Sequence, residues 1–307
     1  MNVAGIFKPE YFYQPKKALQ RLLYFQARPN TEFVDQRLPW GMNIRIRPLE
    51  EHGKIISTLG VIDLAVTETL WRLAEPGELV VDVGANIGYM SAVLAARVSS
   101  TDGGSVWSFE AHPEIFTELK YNVDNWQKQL KNINFHIKNL AVSNTHGQIE
   151  LRIPESFASN RGLASVVTQE KYLSENITNE SQSLTIESCY LDEIFRNQNI
   201  GVLKIDVEGH ELQVLKGAVK LLTDRRIRDC VFEEHLDYPT PVTNLLESFG
   251  YQVLRIKRGF NRPIVLEPNS QISRTSWQPT SFIATQNSER LIKLFAKPGW
   301  QILKAKL

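Results

Sequence analysis

The chain has 307 residues, 42% hydrophobic and 22% charged, a balance that supports one full-sized packed domain with appendages and excludes a disordered or fibrous protein. Its 35 Lys and Arg nearly cancel its 34 Asp and Glu, so no global field draws in a polyanion and nucleic acid is not an expected partner. Cys189 and Cys230 have neither CxxC spacing nor a His cluster near them, which excludes a zinc site and a disulfide framework and leaves two buried thiols as the expectation.

Residues 1 to 30 are basic and aromatic, and from Pro15 onward Ala18, Leu19, Leu22 and Leu23 share one helical face. The stripe is short, which favours a helix packed on its own domain over a membrane-surface or partner helix. A signal-type apolar run is absent, as is any stretch of about 18 apolar residues, so a cytoplasmic location without a membrane span is expected. Leu38-Pro39-Trp40-Gly41 followed by alternating Ile44 and Ile46 reads as a turn into a half-buried strand, a small β preface.

From Leu79 the pattern alternates between strand and helix, which implies a parallel sheet. The chain order is a strand at Leu79 to Val81, a helix from Ile87 to Arg97, a strand from Val106 to Phe109, a helix from Pro113 to Gln129 and a strand from Ile133 to Val142. Residues 154 to 183 are polar and aperiodic and read as an inserted loop over the strand ends; Asn176-Ile177-Thr178 within them is a chance sequon. The rhythm resumes with a strand at Val202 to Val207, a helix at Glu211 to Leu222, a strand at Val231 to Glu234 and a helix at Thr240 to Phe249. Strands at Tyr251 to Ile256 and Ser281 to Thr285 then close a mixed sheet.

The sharpest feature is Asp82-Val-Gly84-Ala-Asn86-Ile-Gly88-Tyr89, placed where a buried strand turns into a helix. The dinucleotide fingerprint needs glycine where this chain has Asn86 and Tyr89, so a nicotinamide cofactor fits poorly. A helix N-terminus still favours an anionic group, and Asp82 is placed to complement positive charge. Glu110, ending the next strand, can accept from both ribose hydroxyls of a nucleoside. Asn139, Leu140 and Ala141, ending the third strand, would then border the base. Asp206 is expected beside Asp82 at the switch point, followed by Glu208, Gly209 and His210 in the turn. Lys204, a charge in an apolar strand, is either paired with a carboxylate or snorkels at a sheet edge. Glu233, Glu234 and His235 end the strand after that, and an imidazole there suits proton removal near neutral pH.

Asp82 to Tyr89, Phe109-Glu-Ala-His-Pro113, Leu203-Lys-Ile-Asp-Val-Glu-Gly-His-Glu-Leu212 and Phe232-Glu-Glu-His235 together resemble the FkbM-type methyltransferases, over roughly residues 38 to 260. The resemblance implies a Rossmann-like α/β fold of seven mostly parallel strands with helices on both faces. It also implies S-adenosyl-L-methionine as methyl donor, with S-adenosyl-L-homocysteine as product. The acceptor it implies is an oxygen on a polyketide, peptide or sugar. Glu68, Asp82, Gly84, Asn86, Gly88 and Glu110 match positions that hold the cofactor; Tyr89, Ala111, Asn139, Leu140, Ala141 and Asp206 are counted with them. His235, Glu234, Glu208 and Asp206 are the expected catalytic set, His235 as the base.

The expected division is an N-terminal helix and β extension (1–60), the methyltransferase domain (61–290) and a C-terminal tail (291–307). No metal is expected, although Asp206, Glu208 and Glu234 would be the ligands of a metal-assisted variant. N-methylation, an NAD-dependent oxidoreductase and a non-catalytic cofactor-binding module are the rival readings.

Overall fold

The computed structural model describes residues 9–13, 31–99, 103–154, 157, 161, 165–166, 182–270 and 279–307. The stripe from Pro15 to Leu23, the Asn176 sequon and most of the insertion at 154 to 183 lie outside these residues. Pro9–Tyr13 forms a short helix (α1), and Val34–Arg37 (β1) pairs antiparallel with Asn43–Ile46 (β2) around the Leu38 to Gly41 turn. Trp40 is fully buried and meets the Tyr89 ring edge-on at 5.7 Å, so the preface is packed against the start of the glycine-turn helix. Glu51–Leu59 (α2) and Leu64–Leu73 (α3) then lead into the main sheet.

Chain order continues with Leu79–Val83 (β3), Tyr89–Val98 (α4), Gly104–Phe109 (β4), Pro113–Gln129 (α5) and Ile133–Lys138 (β5). A second, four-stranded sheet follows, built from Ala141–Val142 (β6), Gly147–Ile153 (β7), Ser165–Val166 (β8) and Gln182–Cys189 (β9). After Leu191–Phe195 (α6) the main sheet resumes with Ile200–Ile205 (β10), Glu211–Lys216 (α7), Val219–Thr223 (α8) and Ile227–Glu234 (β11). Pro241–Ser248 (α9), Gln252–Arg258 (β12), Pro263–Leu266 (β13), Thr280–Thr285 (β14) and Ser288–Ala296 (α10) complete it.

The main sheet has the order β13-β12-β14-β11-β10-β3-β4-β5. It is parallel from β5 through β11, and β14 runs antiparallel between β11 and β12. This is the expected mostly parallel sheet of seven strands with Pro263–Leu266 added at the edge as an eighth. The centre strands β3 and β10 are buried on both faces and are accordingly near-continuous runs of Val, Ile and Leu. One apolar layer gathers β2, α3, α4, α5 and the C-terminal Trp300, Ile302 and Leu303. The other gathers α6 to α9 against Val81, Leu203 and Phe232.

Three boundaries differ from expectation. The strand read as Ile133 to Val142 breaks at Asn139 and Leu140, whose Asn139 Nδ2 donates to the Glu110 and Ala111 carbonyls and sends the chain into the second sheet. The helix read as Glu211 to Leu222 breaks at Gly217, where a Cβ would lie 2.0 Å from the Ser143 carbonyl oxygen. The flanks of the insertion, Gly147–Ile153 and Gln182–Cys189, are a long antiparallel pair. Both cysteines are buried and free. Among the described residues no helix is long and apolar enough to cross a membrane.

Candidate functional site

The carboxyl ends of β3, β4, β10 and β11 open onto a cavity of about 220 Å³. Register sets Asp82, Lys204 and Val231 abreast on neighbouring strands, so Gly84, Asp206 and Glu233, two residues further on in each, all line the cavity. Gly84 has φ +75°, and a Cβ there would lie 1.8 Å from the Asp206 carbonyl oxygen. Only glycine lets the two strand ends meet this closely. The five backbone N–H groups from Gly84 to Gly88 all have partners within the protein: Gly84 and Ala85 donate to the Phe109 carbonyl, Asn86 to Glu110, Ile87 to the Asn86 side chain and Gly88 to Ala85. The turn is therefore knitted into the sheet by its own backbone donors.

Lys204 is 5% exposed in a central strand, which rules out the snorkelling alternative. Its Nζ lies 3.2 Å from Asp82 Oδ1 and 3.4 Å from Asp206 Oδ2, and it donates to the Gly84 carbonyl at 3.1 Å. Burial pulls the ammonium pKa down, but Asp82 and then Asp206 outweigh burial and hold it above the ordinary lysine range. Asp82 itself is fully buried, takes the Ser91 hydroxyl at 2.6 Å and does not line the cavity. In this structure Asp82 meets Lys204 beneath the turn rather than facing the cavity where the cofactor was expected.

Glu110 lines the cavity from the end of β4, with one carboxylate oxygen accepting the Asn86 N–H and the other the His112 N–H, both at 2.8 Å. Burial pushes its carboxyl up to about 7 against the pull of those two donors. Each oxygen keeps a second lone pair for a ligand hydroxyl. Asn86, Tyr89, Ala111, Leu140 and Ala141 also line the cavity, as do Asp206 and Glu208. Asn86 and Glu208 sit at φ +51° and +53°.

Several expected residues are elsewhere. Glu68 is fully buried in α3, where it accepts from Arg72 Nε at 2.7 Å and from the Gln301 and Ile302 N–H groups, and so clamps the C-terminal segment. Gly88 does not line the cavity; a Cβ there would come within 2.7 Å of Leu119 and 2.8 Å of Trp126, so its glycine serves the packing of α5. Asn139 holds the β4 and β5 ends together without lining the cavity. Strand alternation turns Glu234 to the opposite face of β11 from Glu233, where it is buried and absent from the lining. The His235 side chain is 59% exposed, 3.7 Å from Glu208 and likewise outside the cavity. Because Glu234 faces away, the Asp206–Glu208–Glu234 set is not assembled, and among the described residues no group of three or more His, Cys, Asp or Glu could hold a metal ion.

Of the three residues that end this strand the cavity takes Glu233, which was not in the expected catalytic set, rather than Glu234 or His235, together with His52 and Asp63 from upstream of the glycine turn. Burial first, then Asp206 and Asp63, push the Glu233 carboxyl up to about 8, with Lys204 opposing. Asp63 caps α3, accepting the Ala65 and Val66 N–H groups, at the strained φ of +23°. Burial lowers the His52 imidazole pKa. Arg161, from the insertion, lines the far side and is held by Glu118, by Glu114 at 3.0 Å and by Glu50 at 3.7 Å.

The family model described as "Methyltransferase FkbM domain" matches residues 82–253. The chain is 28% identical over 207 residues to the hexuronic acid methyltransferase AglP of Haloferax volcanii, a match covering 66% of this chain and 74% of that protein. It is 40% identical over 108 residues to the protein-L-isoaspartate O-methyltransferase of Aeropyrum pernix, covering 34% of this chain and 39% of that one. Among solved structures, the methyltransferase FkbM of Methylobacillus flagellatus aligns at a TM-score of 0.40 and 17% identity, over 69% of this chain and 44% of that chain.

Proposed function

The chain belongs to the FkbM methyltransferase family, and from that premise we propose that it uses S-adenosylmethionine to O-methylate a hydroxyl group of a sugar or similarly hydroxylated small molecule. The observation that carries this reading is the wall of carboxylates, Asp63, Asp206, Glu208 and Glu233, lining the cavity. Such a wall offers hydrogen-bond acceptors and a base to a hydroxyl. The hexuronic acid methyltransferase relative supports a sugar as the acceptor; because a hexuronic acid also carries a carboxylate, it supports the sugar class and not the choice of hydroxyl over carboxylate.

The residues present suit the cofactor. Glu110 would take the ribose hydroxyls, while Leu140 and Ala141 would border the adenine. Asp206, next to the turn, would complement the positive charge. When bound, S-adenosylmethionine supplies a methyl group on a sulfonium, an electrophile that leaves a neutral thioether behind. Glu233, held largely protonated in the free protein near neutral pH, is the candidate base once deprotonated. The Lys204 ammonium fixes Asp206 and the turn so that the donor and acceptor sides keep their spacing.

Incubating the protein with methyl-labelled cofactor and cell extract, then treating the labelled product with mild alkali, tests this reading. A methyl ether survives and supports it; a base-labile methyl ester would replace the hydroxyl with a carboxylate as acceptor.

A further inference from the structure

We infer that the β12–β13 hairpin tip docks this enzyme on an anionic lipid surface, with the cavity mouth turned toward that surface. The hairpin closes at Gly259, whose N–H donates to the Arg262 carbonyl at 3.0 Å, leaving Phe260 and Asn261 as its outermost residues. Phe260 is 96% exposed, the most exposed large apolar side chain among the described residues. Lys257 and Arg258 precede it and Arg262 follows. The Arg262 guanidinium donates to the Ala296 carbonyl, which brings the exposed Lys293 and Lys297 at the end of α10 beside the tip. Against these cations stands the buried Glu10, which takes Arg258 at 2.7 Å and ties α1 to the hairpin; α1 in turn carries a second exposed ring, Phe12.

Topology gives the tip its direction. Two antiparallel pairings, β11 with β14 and β14 with β12, make β12 run in the same sense as β11. Register sets Arg255, Phe282 and Phe232 abreast, so Phe260 projects beyond the sheet edge at which Glu233 and Asp206 line the cavity. Burial raises the carboxyl pKa of the cavity-lining Asp63, and Arg258 lies close enough to oppose that rise, which sets the hairpin base at the rim.

A lone ring on a convex tip ringed by cations matches the way a peripheral protein wedges an aromatic residue between headgroups while its basic residues meet anionic lipid. A nucleic-acid strand would need a groove in which to lay its backbone beside stacked rings, and the tip is a protrusion instead.

Sedimentation with vesicles of phosphatidylcholine alone and of equimolar phosphatidylcholine and phosphatidylserine tests this without any methylation readout, so it stands or falls separately from the acceptor chemistry. Binding to the phosphatidylserine vesicles that weakens as salt is raised is expected, with little to phosphatidylcholine. Phe260→Ala should weaken it about tenfold, the usual scale for losing a buried aromatic ring. In Phe260→Trp, the added emission should shift to the blue on vesicle addition. Vesicle binding without preference for phosphatidylserine, native-like binding by Phe260→Ala, an unshifted tryptophan, or binding to a single-stranded oligonucleotide but not to vesicles would each overturn the inference.

Discussion

Lys204 is where the site and the stability of the sheet meet, and replacing it with Met tests both. The substitution keeps the apolar stem but leaves Asp82, fully buried, with the Ser91 hydroxyl and without its cation. Breaking a buried pair by removing one partner costs about 3–5 kcal/mol. At about 2–4 °C per kcal/mol for a domain of this size class, the melting temperature should fall on the order of 10 °C. Circular dichroism of Lys204→Met measures it, and the double variant Lys204→Met/Asp82→Asn should recover more than about 1 kcal/mol, since the stranded charge is then gone. The folded pKa of Lys204 lies above the ordinary 10.5, so its contribution is complete below that pH and erodes only as the solution becomes strongly alkaline. A single variant melting within about 2 °C of native, or a double variant showing simple additivity, would refute the claim that this ion pair holds the turn.

Glu233→Gln should lower turnover about a hundred- to ten-thousandfold while the protein stays folded, because a positioned base contributes on that scale. In the native enzyme, kcat/KM measured at saturating cofactor should rise with pH as the Glu233 carboxyl ionises and then level off, with a midpoint below the value of about 8 set in the free protein because the bound sulfonium favours the carboxylate. His235→Ala should be nearly silent in the same assay, since its ring stands outside the cavity; a large loss would return the base to the imidazole. Gly84→Ala should both unfold more easily and bind S-adenosylhomocysteine poorly, because its Cβ collides with the Asp206 carbonyl at a left-handed φ; native melting with native affinity would contradict the close approach.

Much of the scaffold was legible because its signals are local. Buried β-branched runs at Leu79–Val83 and Ile200–Ile205, the proline opening α5 and the glycine turn each mark their element without reference to distant contacts. The pairing of Gly147–Ile153 with Gln182–Cys189 depends on a partner across the insertion, so the sequence carried no equivalent mark for it, and Pro263–Leu266 is a four-residue edge strand that opens on a proline, too short to stand out. The site divides in the same way. Glu110, Asp206 and Glu208 end strands or begin turns whose position was clear, and all three line the cavity. In Val231-Phe-Glu-Glu-His235 a strand buried on both faces shows no alternation between apolar and polar, so nothing told Glu233 from Glu234. Phe232 packs against Phe282 at 5.6 Å on one face of the strand, and alternation then leaves Glu233 on the other, toward the cavity. The clamp that Glu68 makes on Gln301 and Ile302 was not legible, because those partners lie more than two hundred residues away. His52 and Asp63 precede every motif and reach the cavity through the fold of α2 and α3 alone.

Calorimetric titration of S-adenosylhomocysteine into the native protein, Glu110→Ala and Glu233→Gln tests the central claim most directly, that the cavity at the carboxyl edge holds the cofactor through Glu110. Charge-assisted hydrogen bonds of this kind are worth about 1.5–3 kcal/mol, so the account predicts one site in the native protein, affinity roughly tenfold or more weaker in Glu110→Ala, and affinity close to native in Glu233→Gln. Equal affinity in native protein and Glu110→Ala, with both folded, would contradict it.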